Sequence, residues 1–225
     1  MAAAEPFVIN KTRISDQVYD HLREEILTGR FAPGQRLNLE ELVERLNISK
    51  MPVKEAIGRL AMEGLLDVQA QRGTFVSRVE PRDLADTFEV RRALEMLAGE
   101  LAVAHVTKAD LEKLRSLIAA MEKSIAVAQH LELNFEFHGL LVELAGNRKL
   151  SETYHRLRVP IQVAAIHYRS ENWTARLAQE QKEHRAIVRA LEQKDAEAVS
   201  RAIREHLKRG SASLLEDVER SVGQG

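Results

Sequence analysis

Three histidines of this 225-residue chain fall inside apolar helical stripes, and another polar side chain stands one turn from the first of them. In the stretch NFEFHGLL, Asn134 and His138 are four residues apart and share a face with Phe137, Leu141 and Ala145. His184 aligns in the same way with Leu177, Val188 and Leu191, and His206 with Val199 and Ile203. A single histidine on such a face is most often a hydrogen-bonded core residue. Three of them with one oxygen donor make the ligand set of a divalent transition metal, Zn²⁺ first, with Ni²⁺ or Mn²⁺ as alternatives. Helical bundles assemble such sites from inward-facing side chains. The histidines are 46 and 22 residues apart, however, and that spacing does not bring them together in space. Arg91 is a further buried candidate, on a stripe with Leu84, Phe88 and Ala98 and one turn before Glu95. A buried guanidinium needs a partner, and an internal pair with Glu95 would supply one.

A second constellation lies near the N-terminus. Lys50 and Lys54 share one face of a short helix that begins with Lys50 and Met51, opposite a stripe of Val53, Ile57 and Leu60. The cations therefore point outward at a helix N-terminus, where free N–H groups and the dipole favour phosphate. The elements that must hold them are legible. Residues 12 to 29 carry Ile14, Val18, Leu22 and Ile26 at helical spacing, with Gly29 as a stop. After the PGQRL turn, Asn38 and Glu41 form a capping-box pattern before LEELVERL. Asn47 suits a left-handed turn, Ser49 is placed to cap the next helix, and Pro52 falls in its tolerated first turn. Leu66, Val68 and Ala70 then alternate with polar neighbours, and Gly73 sits in the bend of a hairpin. Helix, helix, turn, helix, hairpin is the order of a winged helix-turn-helix, whose third helix enters the DNA major groove.

The remainder is helical from Asp83 onward, with breaks at AGN (145–147) and RSENW (169–173) and an interruption expected at Pro160. The fold class is mainly α: a winged helix-turn-helix followed by an all-α bundle. We divide the chain into a flexible tail (1–10), a DNA-binding unit (11–79) and a helical unit (80–220). An apolar fraction of 44% suffices for real cores. There is no cysteine, which excludes disulfides and thiolate metal sites. No run approaches the roughly 18 apolar residues of a membrane span, so a cytoplasmic protein without membrane association is expected. Residues 1 to 80 hold 11 Lys+Arg against 12 Asp+Glu, so any DNA contact must rest on where the bases sit, not on bulk charge.

The segments GRFAPGQRL, SKMPVKEA and EGLL followed by RGTFV resemble, in order, the DNA-binding domain of GntR-family bacterial transcription regulators. That resemblance implies that Lys50 and Lys54 read the groove and contact phosphate beside Met51. It also makes Arg72 and Gly73 the wing tip, and Arg36 and Ser49 further backbone contacts. Relatives usually carry Arg at both helix positions, and Lys lacks the planar bidentate contact to guanine. Residues 82 to 215 resemble the FCD-type ligand-binding domain of the FadR-like subfamily, a bundle of six or seven helices. The resemblance implies a divalent metal at His138, His184 and His206, beneath a pocket where Arg91 takes a small carboxylate effector. Asn134 stands where that subfamily usually has Asp, a neutral oxygen in place of an anionic one. The expected protein is a homodimeric, effector-controlled regulator of a double-stranded operator, not an enzyme. A metal-dependent hydrolase, or a bundle serving dimerisation alone, are the other readings.

Overall fold

The computed structural model describes residues 13–124, 126–168 and 171–222. The expected tail at 1–10 and the last residues of the chain lie outside them. The first helix, α1 (Ile14–Leu27), buries Val18, Leu22 and Ile26 as their spacing requires. Ile14 departs from that expectation at 55% exposure. It opens the helix, and Ser15 is the buried residue at that end. Gly29 closes the segment at φ +78°, a conformation natural to glycine.

A short strand β1 (Arg36–Leu37) precedes α2 (Leu39–Leu46) and α3 (Lys50–Met62). Asn38 caps α2 by accepting from the Glu40 amide at 3.0 Å, while its own amide nitrogen donates to the Glu41 side chain. The two side chains meet each other instead of closing the reciprocal box. Asn47 takes the left-handed conformation at φ 52°, ψ 48°. Ser49 occupies the N-cap position of α3 with extended backbone, but its side chain makes no capping hydrogen bond, contrary to expectation.

The hairpin consists of β2 (Leu66–Gln69) and β3 (Gly73–Val76), paired antiparallel from Leu66 opposite Val76 to Gln69 opposite Gly73. Its bend covers residues 70–72, so Gly73 begins the return strand. The sequence pattern overlooked β1, which is only two residues long and adds to β3 with Arg36 opposite Phe75. The three-stranded order is β1-β3-β2. Leu66 is buried and Val68, on the same face, is 56% exposed: by Val68 the wing projects beyond the helices that could cover it.

Helices α4 (Pro81–Ala102), α5 (Lys108–Lys123), α6 (Val127–Glu143), α7 (Arg148–Arg156), α8 (Arg158–Tyr168), α9 (Leu177–Glu192) and α10 (Ala196–Val222) follow, with a 3-10 turn at Glu171–Arg176. Pro81 opens α4, where its missing N–H would have had no partner. Pro160 lies in the first turn of α8, and the chain break comes earlier, at Leu157. Proline tolerated in a first turn marks the start of a helix here, not a kink. Gly146 (φ +65°) turns the chain between α6 and α7, with Asn147 capping α7 through the Leu150 amide. One apolar cluster joins Leu22, Ile26 and Leu60 to Phe88, Phe135, Ala164 and Leu214, and a second fills the far end of the bundle around Phe137, Leu141 and Ile203.

Candidate functional site

His138 on α6, His184 on α9 and His206 on α10 converge: one ring nitrogen from each lies within 4.8 Å of the others. His138 and His184 are fully buried and His206 nearly so. Nε2 of His138 is 3.1 Å from Nε2 of His206 and 3.4 Å from Nε2 of His184. The opposite ring edges decide the tautomers. Nδ1 of His138 is 2.6 Å from Glu95 Oε2, Nδ1 of His206 is 2.9 Å from Glu183 Oε2, and Nδ1 of His184 is 3.1 Å from Gln181 Oε1. Those oxygens accept, so each Nδ1 carries the proton and donates. Three Nε2 lone pairs therefore face one another. Lone pairs at such distances repel, and a cation among them turns the repulsion into ligation. Outer oxygens that orient imidazoles in this way are the usual support of a metal centre. The donor set fits a divalent metal.

Electrostatics favour the same protonation. Burial pushes His138 down to about 4 despite the opposing charge of Glu95. His184 falls well below the ordinary histidine value, through burial first and then through His206 and His138. Burial alone would raise Glu95, but Arg91 and His138 outweigh it and hold the carboxyl at about 2. For Glu183 burial is likewise outweighed, by hydrogen bonds from His206 and Arg209, and the carboxyl lies at about 2. His138 and His184 are therefore neutral near pH 7, and Glu95 and Glu183 are ionised.

Asn134 sits beside this cluster with its amide nitrogen inward: Nδ2 is 3.5 Å from His184 Nε2 and donates to Glu180 Oε1 at 2.8 Å. The expectation was an oxygen ligand. Glu180, an acceptor, turns the amide the other way. His130 is fully buried, with Nε2 3.0 Å from Glu180 Oε1. It stands one turn before Asn134, so the spacing that singled out Asn134 and His138 also reaches His130. Glu180 bears the same relation to His184 on α9.

A cleft of about 700 Å³, open mouth included, adjoins the cluster and is lined by Phe88, Arg91, Phe135, Trp173 and Arg176, with Asn134, Glu180 and His206 at the histidine side. Arg91 is buried, and its Nε donates to Glu95 Oε1 at 2.5 Å, so the internal pair exists. Its Nη2 is buried without a hydrogen bond; the Tyr154 hydroxyl acts on Arg91 electrostatically but makes no formed bond either. One arm of the guanidinium is thus committed and another is left for an acceptor. His167 does not reach this cleft. It lies against the end of α1, beside the Ile26 backbone and 4.0 Å from the position a Cβ on Gly29 would take.

At the other end of the molecule Ser49, Lys50, Met51 and Lys54 form an exposed start to α3, Met51 at 67%. Lys50 Nζ lies 2.6 Å from Glu40 Oε1, an exposed pair between α3 and the start of α2. Arg72 is exposed in the hairpin turn. Gly73 has φ +117°, a conformation that favours glycine, and the Arg36 side chain lies against it, with Nε 2.9 Å from where a Cβ would sit.

Residues 14–76 match the bacterial regulatory proteins of the gntR family, and residues 86–209 match the FCD domain. The Nta operon transcriptional regulator of Aminobacter aminovorans is 31% identical over 85% of this chain and 90% of its own. The HTH-type transcriptional repressor RspR of Escherichia coli (strain K12) is 28% identical over 92% and 91%. Among solved structures, E. coli McbR/YncC superposes with a TM-score of 0.75 at 26% identity, covering 92% of this chain and 99% of that one.

Proposed function

The chain belongs to the GntR family of bacterial regulatory proteins and carries an FCD domain, so it is a DNA-binding transcriptional regulator, and we propose that a small carboxylate held at a divalent metal in its helical unit controls operator affinity. The observation that carries this reading is the convergence of the three histidines beside a cleft that Arg91 lines. His138, His184 and His206 would hold the metal, and imidazole ligands suit Zn²⁺ before Ni²⁺ or Mn²⁺. A bound dication supplies positive charge and an open position for an anionic oxygen. Arg91 holds the other end of that anion, since its fork geometry matches a carboxylate. Asn134 borders the same space.

In the DNA-binding unit, taken as residues 11–79, Lys50, Met51 and Lys54 face the major groove, with Ser49 and Arg36 on the backbone and Arg72 and Gly73 at the wing tip. Binding exchanges the Lys50 to Glu40 pair for a phosphate or base contact. The helical unit, 80–220, brings two copies together. Val90, Leu97 and Leu101 are exposed on one face of α4 at spacings of seven and four, an apolar stripe that a second copy can cover. A two-fold protein then meets a pseudo-palindromic operator in the cytoplasm.

The test is a gel shift on the DNA flanking the protein's own gene. Wild type binds, and the Lys50→Ala, Lys54→Ala double variant loses binding. Small organic acids change the wild-type affinity, and chelator treatment abolishes that response. Undiminished binding by the double variant defeats the assignment of the reading helix; an acid response that survives complete metal removal defeats the metal-dependent effector site.

A further inference from the structure

We propose that Glu40 is a specificity-determining residue of the DNA-binding unit, accepting from the N4 amino group of the cytosine paired with the guanine that Lys50 contacts. This rests on the groove placement of Lys50 given above and adds its partner. Lys50 by itself reads poorly: its ammonium is a compact charge with three rotatable donors, and a phosphate suits it as well as a guanine does. Glu40 stands beside it. The carboxylate reaches from the start of α2 to the start of α3, where Oε1 lies 2.6 Å from Lys50 Nζ, and the side chain is 70% exposed. An exposed ion pair adds little to folding, so its consequence lies in what approaches that surface.

Glu41, next in the chain, is engaged by the Asn38 amide at 3.0 Å. Glu40 is therefore the carboxylate that enters the groove with Lys50. The hydrogen bond from Lys50 holds its carboxyl below the ordinary value, with the backbone at the helix start and the charge of Lys54 acting in the same direction. Near pH 7 it is ionised and can only accept. Once Lys50 turns to DNA, that anion is left among phosphates, where it is repelled unless a base offers it a donor. A G·C pair offers both halves of the exchange. Guanine presents O6 and N7 to a lysine, and cytosine presents its N4 amino group to a glutamate. O6 and N4 share the base pair's own hydrogen bond and lie about 2.9 Å apart, close to the separation at which the two side chains start. Lys50 and Glu40 can therefore divide one base pair between them. Sequences that lack the pair keep the repulsion.

The experiment uses the full-length protein and the site it selects from random-sequence duplexes. Each cytosine of a half-site is replaced in turn by 2-pyrimidinone, which still faces guanine but lacks the amino group. At one position wild type should weaken about tenfold, and Glu40→Ala should lose that sensitivity. Any effect of the analogue on the duplex itself is common to both proteins. On a duplex of unrelated sequence Glu40→Ala should bind more tightly than wild type, with log affinity falling more steeply against log salt by about one unit of slope, because Lys50 has lost its internal counter-charge. A Glu40→Ala protein as sensitive as wild type to every replacement overturns the proposal and leaves the Lys50 assignment standing. So does a wild type indifferent to all of them, or a Glu40→Ala protein no tighter on unrelated DNA. Undiminished binding of the selected site by the Lys50→Ala, Lys54→Ala double variant overturns both.

Discussion

At the scale of single residues, the centre is a set of imidazoles oriented by acceptors behind them, and burial keeps His138 and His184 neutral. That arrangement has a sign in pH. The folded-state value of His138, about 4, lies below its ordinary 6.5, so as pH falls the unfolded chain binds that proton first. His184 is displaced in the same direction. Stability of the metal-free protein is therefore full above about pH 6.5 and is lost as pH falls toward 4. Glu95 and Glu183, both held near 2 against an ordinary 4.5, add a further loss below that. Thermal melts of chelator-treated protein should show Tm dropping between about pH 7 and about pH 5. A constant Tm over that interval would contradict the burial of neutral histidines.

Among the elements, α4 and α10 decide whether the site can form. Leu84, Phe88, Arg91, Glu95, Ala98 and Ala102 make one inward face of α4, and Val199, Ile203, His206 and Leu207 answer from α10. Gly99 is where α4 packs directly against α10 side chains. A Cβ there would lie 2.5 Å from Ile203 Cδ1 and 2.6 Å from Val199 Cγ1. The terminal methyl of isoleucine can swing aside, but the branched Val199 cannot without leaving its χ1 well. Gly99→Ala should therefore destabilise by about 1–3 kcal/mol, read as a Tm loss of roughly 2–4 °C for each kcal/mol. Because His206 follows Ile203 by three residues, the displaced α10 should also bind Zn²⁺ more weakly. Unchanged Tm and zinc affinity would mean that the helices separate at no cost.

For the whole molecule, the proposed dimer rests on the apolar stripe Val90, Leu97, Leu101. Its residues are 47%, 45% and 37% exposed, on a helix whose other face carries Arg91 and Glu95. Leu97→Glu with Leu101→Glu places charge on that stripe without touching the core. Sedimentation should then show a monomer where wild type is a dimer, with operator affinity reduced because one half-site is no longer delivered with the other. A double variant that remains dimeric moves the interface elsewhere. α8 links the two ends: Ile161 and Ala165 line the cleft, and His167 rests on the end of α1.

Local chemistry was enough for much of this. Period-3.6 stripes, Asn38 and Asn47 mark helices and their ends, and Gly73 marks the wing, because those signals act over a few residues. The inward placement of His138, His184 and His206 also follows from neighbours one turn away. Other features depend on partners distant in sequence. The strand β1 exists only because β3 lies beside it, and Val68 is exposed only because the wing outruns the helices. That Arg91 pairs with Glu95 through one nitrogen and keeps another uncommitted is a matter of packing. Asn134 could be identified as polar and inward from sequence. Which of its two amide atoms faces the histidines was decided by Glu180, 46 residues away, because only a folded chain can bring an acceptor to within hydrogen-bonding reach of that nitrogen.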